Sequence, residues 1–196
     1  MRKRSGHVAL ALLGAAAFGL SACGEEETDA RAFPDKQSCM EAAKQGGGWF
    51  SEADCESAFA EAEALHRETA PRYESRELCE AEHGAGACGG DTVAGGGGGS
   101  SFLPLIAGYL IGSALANARG VTSQPLLRSA GGGFATPDGG TRLTSNTGGG
   151  KIATKAFAKA PTTLGKPPMT KAQVAARGGF GTSGSARSSG GVRAGG

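Results

Sequence analysis

Negative charge almost disappears after Thr92, where one acidic residue, Asp138, faces 11 Lys or Arg. The preceding stretch is the opposite: 17 acidic and 6 basic residues lie between Gly24 and Asp91. Balances of −11 and +10, with three more cations at the extreme N-terminus, give the net +2. Such halves suggest a folded acidic part and a basic arm. Aromatics are scarce too, with only Phe134, Phe157 and Phe180 beyond Thr122. A segment of Gly, Ser, Thr, Ala, Pro and scattered cations buries too little apolar surface to offset ordering entropy of ~1–2 kcal/mol per residue, so residues 119–196 are expected to be a basic disordered tail. The chain has no C-x-x-C pair, which argues against a zinc site or a dithiol redox centre. It has no G-x-S-x-G, no H-E-x-x-H and no G-x-x-x-x-G-K-[ST]. The glycine run at 95–99 has no strand before it and no Lys-Ser/Thr after it, so it is no phosphate loop. No catalytic residue, metal or cofactor is expected.

What is present begins at the N-terminus. Arg2, Lys3 and Arg4 precede a short apolar run over 7–20, the layout of a secretory signal and too short for an ordinary membrane span. The run closes on LSAC, Leu20 to Cys23, which resembles a bacterial lipobox. The resemblance implies cleavage after residue 22, a diacylglyceryl thioether on Cys23 and an acylated new N-terminus. Each buried CH₂ contributes about 0.8 kcal/mol and one chain alone binds only marginally, so several chains would anchor the protein durably. Gly24 stands where lipoproteins retained in the inner membrane usually carry Asp, which favours the periplasmic face of the outer membrane. An acidic tether over 23–32 follows.

Residues 33–90 are rich in helix formers and read as a small all-α domain. Ser51 with Asp54 approximates a capping box. Cys55, Phe59, Ala62, Leu65 or His66, and Thr69 share one helical face before Pro71 ends the helix. Weaker helices have Asp35 and Ser75 as N-caps and stop at Gly46 and Gly84. Trp49 and Phe50 are expected as core anchors. Four cysteines besides Cys23 remain in an exported chain: Cys39, Cys55, Cys79 and Cys88. An even count of this kind reads as disulfides, with three pairings open. An internal echo favours the local set, because Phe33 lies six residues before Cys39 and Tyr73 six before Cys79. Each bridge would contribute roughly 3 kcal/mol to a domain whose core is marginal without staples. His66 and His83, with Glu63 or Glu80, are the only acid–base or metal candidates, and helix-edge positions explain them more simply.

A glycine-rich linker over 91–101 leads to SFLPLIAGYLIGSALANARG. As a helix, 102–118 would reach about 25 Å against a hydrocarbon core of ~30 Å. Gly108, Gly112, Ala116 and Gly120 recur every four residues, a small-xxx-small stripe that lets helices approach closely. Three arrangements are open: a membrane helix self-associating through the stripe, a helix docked on the acidic domain, or a disordered patch.

The blocks ETAPRYESRELC, HGAGAC, FLPLIAGYLIG, QPLL and RGGFG, in that order after a lipobox, resemble the YgiB family of bacterial lipoproteins, a domain-of-unknown-function family. The resemblance implies an exported, membrane-associated protein and supplies no catalytic residue. The expected whole is a disulfide-stapled all-α domain plus one apolar helix and long disordered Gly/Ser-rich regions. Its expected role is structural or interaction-based. An alternative is a binding module whose basic tail holds an anionic envelope polymer such as lipopolysaccharide; a further one is an enzyme of unknown type. RGGFG resembles an RNA-binding element, but nucleic acid is not an expected partner outside the cytoplasm.

Overall fold

The computed structural model describes residues 26–46, 48–91, 101–113 and 120–176. The stretch ETDARAF alternates polar and small side chains, the period-2 pattern of a strand with one buried face. It forms β1 (Glu27–Phe33), burying Thr28, Ala30 and Ala32. Three helices follow, each started by the cap its sequence offers. In α1 (Lys36–Lys44) the Asp35 carboxylate accepts from the Ser38 amide at 2.8 Å, which holds its carboxyl below the ordinary range. In α2 (Glu52–Thr69) Ser51 and Asp54 satisfy each other's amides as a capping box, and Cys55, Ala58, Ala62, His66 and Thr69 are buried. α3 (Arg76–His83) starts on Ser75 and ends at Gly84.

Disulfides join Cys39 to Cys55 and Cys79 to Cys88. Around them the internal echo has a physical basis. Phe33 is buried in one cluster with Cys39 and Cys55, and Tyr73 in another with Cys79 and Cys88. Each unit is a buried aromatic, a turn, a short helix and a staple. Trp49 departs from expectation: it stays 41% exposed and packs edge-on against buried Phe50.

The rest corrects the all-α expectation. The chain builds a six-stranded, fully antiparallel sheet in the order β7-β6-β5-β4-β1-β8. Its members beyond β1 are β4 (Ile106–Ser113), β5 (Val121–Arg128), β6 (Phe134–Ala135), β7 (Arg142–Leu143) and β8 (Gly148–Ala153). Short strands β2 (Cys88–Gly90) and β3 (Phe102–Pro104) pair beside α3, and α4 (Lys171–Ala176) closes the described chain. The described part of the expected apolar helix over 102–118, residues 102–113, is therefore β3 and β4. Ile106, Tyr109 and Ile111 are strand formers, and two interior glycines oppose a helix. A central strand buried on both faces reads as a continuous apolar run, which hides the period of two.

The expected disordered tail is likewise ordered from 120 to 176. Its aromatics are few, but Leu126, Leu127, Leu143 and Ile152 add buried or half-buried aliphatic surface, and β1 and β4 supply backbone partners. The two charge blocks are parts of one fold. Lys151 on β8 meets Asp29 on β1 at 3.5 Å, and Lys159 meets Glu68 at 2.8 Å.

Helices α1 and α2 cover one sheet face, burying Phe33, Tyr109 and Ile111 against Cys55, Ala58 and Ala62. On the other face Ala30, Ala32, Leu110 and Leu126 meet Ala156 and Phe157 of a 3-10 turn (Thr154–Phe157). The stripe glycines in β4 serve this interior. Gly108 has φ +146 at a bulge, and a Cβ there would lie 2.7 Å from the Phe33 carbonyl oxygen. A Cβ at Gly112 would run into the Phe157 ring. Gly120 precedes β5, and Ala116 lies outside the described residues.

Candidate functional site

The two histidines singled out by the sequence are both buried, and both are held by backbone carbonyls. His66 Nε2 lies 2.7 Å from the Pro104 carbonyl oxygen, so that nitrogen carries the proton. Burial, ahead of the nearby Arg72 and Arg67 charges, keeps its imidazole below the ordinary histidine range. His83 Nδ1 lies 2.7 Å from the Arg128 carbonyl oxygen at the end of β5. Glu80 accepts from the Gly86 amide at 3.1 Å.

His83 belongs instead to a network the sequence did not reveal. The Tyr73 hydroxyl donates to Glu82 Oε2 and stands 2.8 Å from His83 Nε2. Tyr73, Glu82 and His83 are all 2% exposed or less. The hydrogen count is constrained. A carbonyl only accepts, so His83 Nδ1 is protonated. The phenol then has one proton for two neighbours. That proton goes to Glu82 Oε2, and the cluster ties α3 to β5.

A second hub lies one residue earlier. Arg72 Nε donates to Asp91 Oδ2 at 2.7 Å, with the two side chains 7% and 3% exposed. The same guanidinium donates to the Arg67 carbonyl at 2.8 Å and to the Thr163 hydroxyl. It thereby binds the end of α2 to β2 and to the segment after the 3-10 turn. Beside it opens a cavity of about 390 Å³, floored by Pro71, Arg72 and Pro137 and walled by Met169, with Asp138 and Lys166 at the rim. A shallower trough of about 270 Å³ lies over Ala30, Ala32, Gly148 and Gly150, where small side chains in paired strands leave space. Among the described residues no group of three or more His, Cys, Asp or Glu could hold a metal ion. Cys23 and RGGFG lie outside the described residues.

One stretch, Thr69 to Tyr73, thus supplies three cavity-lining residues, one of them the guanidinium hub, and the network phenol. A family model described as "Protein of unknown function (DUF1190)" matches residues 27–191. The chain belongs to the DUF1190 family. A "UPF0441 protein" of Erwinia tasmaniensis is 31% identical over 189 residues, covering 89% of this chain and 79% of the relative. These matches agree with the resemblance to YgiB proteins drawn from the sequence blocks. No solved structure matches the chain. The DUF1190 match takes in the whole sheet, both disulfides and RGGFG.

The sequence signal that could have found the site was in that block. Arg and Tyr adjacent after a helix-ending Pro are poor loop residues unless they have partners. Asp91 and Glu82 are their partners, yet their pairing depends on the β2–β3 ladder and on α3, which only the fold specifies.

Proposed function

We propose that this DUF1190 protein is a lipid-anchored interaction protein of the bacterial envelope, exported, held by Cys23 at the periplasmic face of the outer membrane, and not an enzyme. The observation that carries this reading is the sequence of the N-terminus: three cations, then an apolar run, then LSAC ending on Cys23. Two disulfides suit an oxidising compartment. Among the described residues no helix is long and apolar enough to cross a membrane. In this reading a lipid on Cys23 supplies the attachment. The test is fractionation of wild type beside Cys23→Ala. Wild type in the membrane and the variant in the soluble fraction is the expected result. A variant that stays in the membrane overturns the lipid as sole anchor.

A second reading concerns residues 177–196, which carry Arg177, Arg187 and Arg193 and no acid. Lys151 and Lys159 are used within the fold, so this segment is the better candidate for holding an anionic envelope polymer such as lipopolysaccharide. Retention on that polymer should fall with salt and vanish when 177–196 is removed. Unchanged binding rules the reading out.

A further inference from the structure

The edge strand β8 and the trough beside it form a place for one more strand. We infer that an extended segment of a partner protein pairs antiparallel with the open edge of β8 and lays alternate apolar side chains in that trough. The inference rests on the interaction role proposed above, and not on the lipid. β8 ends the sheet, and among the described residues no strand pairs with its outer side. The Thr154 amide donates to the Glu26 carbonyl at 2.7 Å, which fixes the phase of the ladder. Gly148, Gly150 and Ile152 therefore bond inward to β1, while the N–H and C=O of Gly149, Lys151 and Ala153 point outward. The opposite edge, β7, is two residues long and offers no comparable template.

The side chains select the partner. Gly148 and Gly150 sit opposite Ala32 and Ala30, so both strands are nearly bare over the trough of about 270 Å³. A Cβ at Gly150 would meet nothing within 4 Å. Leu110, Leu143 and Ile152 wall the space with apolar surface. Interior glycines weaken a strand and mark places where another backbone approaches closely. Edges that stay free carry charges, proline or bulges, and β8 has only Lys151. On an added strand, the residues opposite Gly148 and Gly150 project over the trough, where large apolar side chains fit. The residue opposite Lys151 lies on the other face, where a carboxylate meets the cation. Read from N to C, the partner segment is acid, apolar, any residue, apolar. A second copy of β8 fits less well. The register that brings its Ile152 over Gly150 sets two Lys151 side chains against each other, a repulsive cross-strand pair. The register that separates the lysines sets Gly150 against Gly150 and leaves that space unfilled.

Amide hydrogen exchange followed by NMR tests this on the full chain carrying Cys23→Ser. The probe is the acetylated, amidated peptide Thr-Val-Glu-Leu-Thr-Leu, matched in length to the six residues of β8. In the free protein the Gly150 and Ile152 amides should exchange slowly and those of Gly149 and Lys151 fast. The peptide should slow Gly149 and Lys151, and the same peptide with both leucines replaced by alanine should not. Gly150→Leu fills the trough from within. Ala153→Pro removes an outward N–H at a residue whose φ is already −58, so the ladder to β1 is kept. Each variant should weaken binding by about tenfold or more while the Ile152 amide stays slow. Gly149 and Lys151 left unprotected by the peptide overturn the inference. So does equal binding of the two peptides, or of wild type and both variants. Protection of Gly149 and Lys151 without peptide, growing with protein concentration, assigns the edge to a second copy and also overturns it. None of these outcomes touches the fractionation of Cys23→Ala, so the lipid anchor and the edge stand or fall separately.

Discussion

The Tyr73 hydroxyl lies 2.8 Å from His83 Nε2 while the opposite ring nitrogen faces the Arg128 carbonyl, so one buried phenol joins a histidine and a glutamate. Tyr73→Phe removes the bridge and leaves two polar groups facing across a dry gap. Breaking such a contact costs the desolvation of the groups left behind, on the order of 2–4 kcal/mol with a charged member. Glu82→Gln should behave differently. Its amide can donate to the phenol oxygen, the phenol donates to a neutral His83, and every contact keeps a hydrogen. A loss within about 1 kcal/mol is expected. Urea denaturation of the two variants checks the contrast, and equal losses contradict the proton count.

Tyr109 supplies the counter-case. It is fully buried in the helix-side core, and among the described residues its hydroxyl has no hydrogen-bond partner. Burial pushes its phenol well above the ordinary range. Tyr109→Phe therefore gives up no protein hydrogen bond, and thermal melts should show unchanged or raised stability. A fall comparable to that of Tyr73→Phe contradicts this account of the core.

Gly112 shows how a sequence pattern can be sound and its structural meaning wrong. The four-residue spacing of small side chains is real, but a period of four also keeps residues on one face of a strand. In β4 it brings Phe157 onto the bare backbone. Gly112→Ala is expected to cost about 1–3 kcal/mol by overpacking. Combining it with Phe157→Leu should recover part of that loss, as contacts that share one space do. Additive losses measured by denaturation contradict direct contact.

Caps and staples were legible because they are local. Asp35, Ser51 and Ser75 each act within three residues of themselves, and the aromatic-to-cysteine spacing repeats within each stapled unit. The sheet was not legible for the opposite reason. β1 meets β8 across more than a hundred residues, through Ala and Gly that carry almost no hydrophobic signal. The order of 120–176 comes from that pairing rather than from its own composition. The functional chemistry followed the same divide. His66 and His83 could be named from helix spacing, whereas Glu82, Asp91 and the cavity depend on elements brought together from afar.

The buried pair Arg72–Asp91 gives a further prediction. Removing one partner strands the other charge in a nearly dry site, which typically costs about 3–5 kcal/mol. Arg72→Met should lose that much in urea denaturation. The double variant Arg72→Met with Asp91→Leu should recover much of it, because no buried charge then lacks a partner. A loss under about 1 kcal/mol in the single variant would show that the pair is solvated.

His66 sets a pH dependence whose sign can be worked out. Burial lowers its pKa in the folded chain, while the unfolded chain titrates near the ordinary 6.5. Above that value both states carry a neutral ring and the full stability is present. Below it the unfolded state takes up a proton that the folded state refuses, so stability falls as pH drops toward the folded value. The slope for one proton is at most about 1.4 kcal/mol per pH unit. Gln at this position keeps a donor for the Pro104 carbonyl and cannot titrate. In melts at pH 7.5 and pH 5, His66→Gln should therefore lose less stability on acidification than wild type. Identical losses would place the acid sensitivity elsewhere in the chain.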